Sequence, residues 1–245
     1  MLVSVITVCW NSEKTIRKTL ESVLAQTYDH LEYLIIDGLS TDGTLDAVRE
    51  YVERFAARGY TLRIVSEKDN GIYDAMNKGI RLASGDLIGI INSDDWYEPH
   101  AVETAVKAYL ESPYDLFYAD INLIREDGSV IVKRSRMDRF PSSRHWNHPT
   151  TFIPKAAYAE LGLYRGIGIH DDFDLILRFR RAGKRIVIKH EVLANFRTGG
   201  VSNQKSLKKS WKRCRDRYRC YRDNGYSRLS MLECIAMEAA KFILS

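Results

Sequence analysis

The stretch Gly85-Asp86-Leu87-Ile88-Gly89-Ile90-Ile91-Asn92-Ser93-Asp94-Asp95-Trp96 decides the fold. Its first half is a short apolar run with β-branched isoleucines, approached through glycine and left through polar residues, the pattern of a fully buried strand. Its second half sets two adjacent carboxylates at the carboxyl end of that strand, where open α/β sheets bind their ligands. Adjacent aspartates repel each other, so the arrangement favours a hard divalent cation with oxygen ligands that also bridges the phosphates of a substrate. The competing interpretation is a solvated Asp-Asp turn ahead of a helix starting at Pro99.

Three strand-loop-helix units precede this stretch. Leu2–Val8 predicts a strand that ends at Cys9-Trp10-Asn11-Ser12, followed by a helix over 13–26 with Ile16, Leu20, Val23 and Leu24 on one face. Leu31–Ile36 predicts a second strand ending at Asp37, then a Gly/Ser/Asp loop over 38–44 and a helix running to Ala57. A third strand over 61–65 leads through Asp69-Asn70-Gly71 to a helix over 72–83 that carries Tyr73, Asp74, Asn77 and Lys78. Such alternation is the signature of a parallel sheet covered on both faces. Every polar loop follows a strand, so Asn11, Asp37, Asp69 and the pair Asp94 and Asp95 should gather along one sheet edge.

The glycine-based phosphate cradles are missing. A dinucleotide fold needs Gly-x-Gly-x-x-Gly after its first strand, and this chain has Trp10-Asn11-Ser12-Glu13-Lys14 there. No Gly-x-x-x-x-Gly-Lys-Ser/Thr loop occurs either. A phosphate at this edge would then be neutralised by a metal rather than by glycine backbone.

Composition narrows the class further. The 245 residues are 45% hydrophobic and 28% charged, ordinary for a globular α/β domain. There is no run of eighteen apolar residues to span a bilayer. Met1 leads directly into a strand with no basic leader, and Cys9, Cys214, Cys220 and Cys234 form no Cys-x-x-Cys pair. Both observations predict a cytoplasmic protein with reduced thiols. The net charge of +5 is uneven: Lys205 to Arg228 holds ten Lys or Arg against Asp216 and Asp223, leaving the rest of the chain at −3. The basic segment predicts docking on the fold, on a second subunit as a homodimer, or on an anionic membrane surface. No nucleic-acid recognition module accompanies it.

Beyond a helix over 99–111 the alternation stops. Asp115–Ala119 predicts a strand, and Asp127-Gly128 a hairpin turn between 121–125 and 129–133. Residues 137–154 are irregular and rich in Arg, His, Trp and Pro, a segment suited to walling a substrate; His145 and His148 lack a third ligand at metal-site spacing. Asp171 and Asp172 open a helix, where the dipole favours acids, and a carboxylate there can serve as a general base. Strands over 185–188 and 192–196 lead to a loop containing Gly199 and Gly200, and two helices complete the chain.

Four stretches, Val3–Asn11, Asp37–Thr44, Asp69–Gly79 and Asn92–Asp95, together resemble the inverting glycosyltransferases of family 2, with Gly199–Ser202 matching a later feature of its bacterial polysaccharide members. The resemblance spans 2–202 and implies a GT-A fold: a Rossmann-like mixed sheet with helices on both faces, here occupying 1–204, with basic and amphipathic helices over 205–245. It implies metal-dependent transfer of a sugar from a nucleoside-diphosphate sugar, a UDP-sugar above all, to a hydroxyl of a saccharide acceptor. Asp37 would contact the base, Asp94 the ribose, and Asp95 would ligate Mg²⁺ or Mn²⁺. Thr7, Trp10, Asn11, Asp69, Asn77 and Lys78 would complete the nucleotide-sugar site. Asp172 would be the base, with Asp171 in reserve, and Trp146, His148, Gly199 and Gly200 would face the acceptor. Two departures stand out: the metal motif reads Ser93-Asp94-Asp95 without a leading acid, and Asp171 replaces the usual Glu before the base. Family and charge jointly suggest a lipid-linked acceptor at the inner face of a bacterial membrane. A non-catalytic sugar-nucleotide or glycan-binding module is the alternative. A nucleotidyltransferase is disfavoured by the first loop, which lacks the glycines and basic residues needed for a triphosphate.

Overall fold

The computed structural model describes residues 1–166, 168–199 and 207–244. The parallel part of its sheet is β1 (Val3–Cys9), β2 (Leu31–Asp37), β3 (Thr61–Ser66) and β4 (Leu87–Ile90). Then come β5 (Trp96–Tyr97), β6 (Leu116–Ile124), β7 (Val130–Lys133), β8 (Phe152–Pro154) and β9 (Ile186–Arg197). All nine form one mixed sheet in the order β3-β2-β1-β4-β8-β6-β9-β5, with β7 paired to β6. β8 is antiparallel to both β4 and β6 and so joins the two halves. β9 runs parallel to β6, and β5 closes the order antiparallel to β9.

Helices cover both faces, and two apolar cores result. On one side α1 (Ile16–Leu24), α2 (Thr44–Arg49), α3 (Val52–Ala57) and α5 (Ala101–Glu111) bury Ile16, Leu20, Val23, Val48, Phe55 and Val102 against the sheet. On the other, α4 (Ile72–Leu82), α6 (Lys155–Leu161) and α7 (Asp171–Arg181) bury Met76, Ile80, Tyr158, Phe173 and Leu177. α4 lies close on β1: a Cβ built at Gly79 would stand 2.5 Å from Ile6 Cγ2, so only glycine fits there.

α8 (Leu207–Asp223) and α9 (Ser230–Leu244) join the second core rather than standing apart from it. Tyr221 is fully buried, its ring edge-on to Phe173 and its hydroxyl donating to Pro141 O at 2.5 Å. A buried ion pair, Arg213 to Glu238, ties α8 to α9 at 2.9 Å. Trp211, on the same helix as the buried Cys214 and Tyr221, is 65% exposed.

Several boundaries differ from the sequence pattern. The single helix expected over 44–57 is two short ones, α2 and α3. The two strands expected over 185–196 are one, because a register shift opposite Ala119, Asp120 and Ile121 absorbs the polar residues between them. β5 and β8, of two and three residues, are too short to leave a periodicity.

Candidate active site

The loops after β1, β2 and β4 are stitched together by hydrogen bonds. Asn11, at φ 49°, donates its N–H to Ser40 Oγ and accepts from Thr41 N, both at 2.8 Å. Ser12 N donates to Thr44 Oγ1 at 2.7 Å, and the Ser12 and Ser93 hydroxyls pair at 2.8 Å. Asp37 is fully buried: Ser40 N and Oγ and Ser66 Oγ all donate to its carboxylate. That network fixes the loop over 38–43. Asp69 packs on Gly38, where an added Cβ would lie 2.5 Å from its Oδ2, and Trp10 stands beside them 67% exposed. Trp10, Asn11, Asp37, Asp69 and Asp94 therefore come to one edge of the sheet.

The acid pair is asymmetric. Asp95 is fully buried, with Oδ1 accepting from Arg197 N at 3.0 Å and Oδ2 enclosed without a hydrogen-bond partner among the described residues. Burial first, and the Asp94 charge second, push its carboxyl well above the usual carboxylate range. Asp94 remains partly exposed, and burial raises it less far. Lys18 Nζ lies 3.3 Å from the Trp96 ring centroid, with the Arg197 guanidinium on the same ring at 5.7 Å. Among the described residues no group of three His, Cys, Asp or Glu forms a metal cage. The donor set nonetheless suits a hard cation: an orphaned buried carboxylate oxygen beside a second, more open carboxylate. Mg²⁺ characteristically takes one or two carboxylates and completes its shell with phosphate and water oxygens.

A second feature is a cavity partly open to solvent. Its wall includes Lys133, Arg144, Trp146, His148, His170, Asp172 and Arg217. Asp172 sits in the first turn of α7, and its Oδ1 accepts from Phe173 N at 2.7 Å. Burial raises its pKa to about 6, against the opposing effects of the Phe173 N–H, the Tyr73 hydroxyl and the Arg217 charge. A carboxylate poised there is mostly ionised at neutral pH yet more basic than an exposed aspartate, which suits a general base. His148 is held neutral by burial, its pKa lowered to about 4, and its Nε2 lies 3.1 Å from the Tyr164 hydroxyl. Trp146 donates its indole N–H to Thr151 Oγ1 at 3.0 Å, which locks the ring in the wall. β9 links the two features: Phe196 lines the cavity and the next residue, Arg197, binds Asp95.

Other residues assigned to the site from sequence are held by partners within the fold. Thr7 is fully buried in mid-strand with its hydroxyl 2.8 Å from the Tyr33 hydroxyl, so it belongs to the core. Asn77 clamps Tyr164 by donating to its O at 2.8 Å and accepting from its N at 3.0 Å. Lys78 reaches back to Lys68 O at 2.6 Å and Glu67 at 3.2 Å, bracing the loop that carries Asp69. Asp171 is fully buried and accepts from Gly166 N and Gly168 N, so it staples the loop before α7 and does not face the cavity as a base. Gly199, at φ 109°, packs against Glu126, whereas Gly200 and the residues through Ser202 lie outside the described residues. Sequence reasoning missed Tyr73, Lys133 and Arg217 as site residues. Tyr73 stands within the Asp69–Gly79 motif; Lys133 and Arg217 sit in a hairpin and a basic helix that give no local sign of convergence.

The profile described as glycosyl transferase family 2 matches residues 4–179. The chain belongs to glycosyltransferase family 2. Its relatives in that family include a putative teichuronic acid biosynthesis glycosyltransferase, TuaG, of Bacillus subtilis, 32% identical over 54% of this chain and 51% of TuaG. The chondroitin synthase of Escherichia coli is 31% identical over 74% of this chain and 27% of its own length. A PGL/p-HBAD biosynthesis glycosyltransferase of Mycobacterium bovis is 29% identical over 75% of this chain and 72% of its own. The match covers only 19% of the chondroitin synthase of Pasteurella multocida, so the chain corresponds to one part of such larger proteins. Among solved structures, S. aureus TarS 1-349 in complex with UDP-GlcNAc superposes with a TM-score of 0.72 at 17% identity, over 98% of this chain and 72% of that one. The mannosyltransferase PcManGT of Pyrobaculum calidifontis, in complex with GDP-Man and Mn²⁺, gives 0.68 at 19% identity over 98% and 69%. These likenesses establish the GT-A fold for this family 2 chain. No helix among the described residues is long and apolar enough to cross a membrane.

Proposed function

We propose that this family 2 protein is an inverting glycosyltransferase that moves a sugar from a nucleoside-diphosphate sugar to a hydroxyl of a saccharide acceptor in surface polysaccharide synthesis. The observation that carries the reading is Asp172, raised to about 6 and facing a cavity walled by Trp146 and His148. The nucleotide sugar lies over the edge formed by Trp10, Asp37, Asp69 and Asp94. UDP-sugar is the first donor class to try, since TarS has been captured with UDP-GlcNAc; the GDP-Man complex of PcManGT makes GDP-sugars the second.

Asp172 takes the proton from the acceptor hydroxyl as its oxygen attacks the anomeric carbon. The bond from that carbon to the diphosphate breaks on the opposite side, and an α-linked donor gives a β-linkage. Asp94 and Asp95 would hold Mg²⁺ or Mn²⁺, which supplies Lewis-acid neutralisation of the diphosphate charge when bound. Trp146 lines the part of the cavity where an acceptor sugar would lie, and neutral His148 orients the Tyr164 hydroxyl beside it. Lys212, Arg215 and Arg219 on α8 outnumber the Asp216 and Asp223 they pair with and stay exposed, which fits a lipid-linked acceptor at an anionic membrane surface.

The test is a screen of UDP- and GDP-sugars with candidate acceptors in Mn²⁺ and in EDTA, reading nucleoside diphosphate release and the anomeric configuration of the product. Inverted product formed only with metal is expected. Saturable donor binding without turnover under every condition would instead favour a binding module.

A further inference from the structure

Arg217 is 3% exposed, yet its Nε and Nη1 are buried without a hydrogen-bond partner among the described residues. No carboxylate among those residues lies within 4.0 Å of it. A buried guanidinium in this state is costly, because donors removed from water lose their hydrogen bonds unless something else accepts from them. Its side chain lines the Asp172 cavity, so a small turn of the guanidinium brings these enclosed nitrogens to an acceptor bound there.

The surroundings strengthen the case. Lys133 lines the same cavity and spends one N–H on Trp146 O at 3.2 Å. Arg144 lines it too, so three basic residues share the cavity with the single carboxylate of Asp172. Burial lowers Lys133 to about 8 even though the Asp172 charge supports its protonated form. The cavity thus holds more positive charge than its own acid balances, and a bound anion would relieve both Arg217 and Lys133. The donor diphosphate is the other anion in the reaction, but its place is the Asp94 and Asp95 edge, whereas Arg217 shares a cavity with the base.

We propose that this cavity recognises an anionic group, a carboxylate or a phosphate ester, on the acceptor sugar, with Arg217 as its main ligand and Lys133 as the second. The proposal rests on the transferase reading for calling the bound sugar an acceptor. Its physical content, an anion site beside Asp172, stands apart from turnover. A planar guanidinium suits carboxylate and phosphate oxygens, and a lysine in its place does not reproduce that geometry.

The experiment compares three probes that differ only at the exocyclic C6 of one sugar: cellobiose, cellobiouronic acid and cellobiose 6′-phosphate. Binding to the full chain is measured by calorimetry or saturation-transfer NMR with UDP and Mn²⁺ present. Wild type should bind at least one anionic probe about tenfold or more tightly than cellobiose, as expected for hydrogen bonds to a charged group. The better of the two names the anion. Arg217→Gln should abolish most of that preference while leaving UDP affinity unchanged, and Arg217→Lys should restore only part of it. Lys133→Gln, on a different element, should lower the preference as well and serves if the Arg217 variant fails to fold. Equal binding of all three probes, no binding of any, or an undiminished preference in Arg217→Gln would overturn the proposal. So would a loss of UDP affinity in a folded Arg217→Gln, which would place the guanidinium on the donor diphosphate. Should wild type turn over no sugar nucleotide yet keep the anion preference, the transferase reading fails and the anion site survives.

Discussion

Replacing Asp172 by asparagine should make the protein more stable while it stops turning over. Burial raises the Asp172 carboxyl from 3.8 to about 6. At 1.36 kcal/mol per pKa unit, that corresponds to about 3 kcal/mol of disfavoured ionisation in the folded state. The cavity is partly open to water, so about 1–3 kcal/mol is the realistic range. Because the folded pKa lies above the unfolded one, the native state binds the proton more tightly. Stability from this group is fully present below pH 4 and lost as pH rises through about 6. The asparagine side chain carries no such penalty and can still accept the Phe173 N–H that Asp172 accepts at 2.7 Å. For a chain of this size, Tm should therefore rise by roughly 2–6 °C at pH 7.5, and the gap between variant and wild type should close toward pH 4. Scanning calorimetry of both proteins between pH 4 and 8 gives the answer. A variant no more stable than wild type at pH 7.5, or a gap that does not change with pH, would show that burial does not disfavour the ionised Asp172. The same strain would then be absent from the wild-type base, since an active-site group held against its preference is what this trade-off reflects.

The kcat/KM profile of wild type should climb on its acid side with an apparent pKa near 6, and Arg217→Gln should move that limb upward, because the Arg217 charge lowers the Asp172 pKa; a limb near 4 would contradict this. Asn77→Ala strips two hydrogen bonds from buried Tyr164 backbone groups and should cost about 2–4 kcal/mol in urea unfolding; a normal stability with a raised donor KM would return Asn77 to the nucleotide site. Asp95→Ala should abolish the Mn²⁺-dependent part of UDP binding in titration calorimetry, whereas unchanged binding would move the metal to other ligands. Gly79→Ala must push α4 away from Ile6 and should lower stability by about 1–3 kcal/mol; a neutral effect in the same unfolding assay would show that the helix can shift freely.

The parallel half of the sheet was legible because each strand there is a continuous apolar run and each loop carries its acids next to a strand end. That rule placed Asn11, Asp37, Asp69 and Asp94 at one edge, where they are found. Residues that only the resemblance assigned lie inside elements. Thr7 is in mid-strand, and its hydroxyl turns to Tyr33. Asn77 and Lys78 lie in a helix whose polar side chains brace neighbouring loops rather than meet a ligand. The antiparallel half was harder because β5 and β8 are shorter than any readable period, and because β9 passes through Lys189-His190-Glu191 by a register shift. The cavity was only half visible. Asp172, Trp146 and His148 come from one region of sequence, whereas Lys133 arrives from a hairpin and Arg217 from the terminal helices, and only tertiary packing makes them neighbours.

The most direct test of the account is nucleoside diphosphate release by wild type and Asp172→Asn under matched donor and acceptor, with donor affinity measured alongside. Loss of a general base predicts a fall in kcat of ~10²–10⁴, with donor Kd within about twofold because the nucleotide edge is untouched. Release by the variant at the wild-type rate would remove Asp172 from the chemistry.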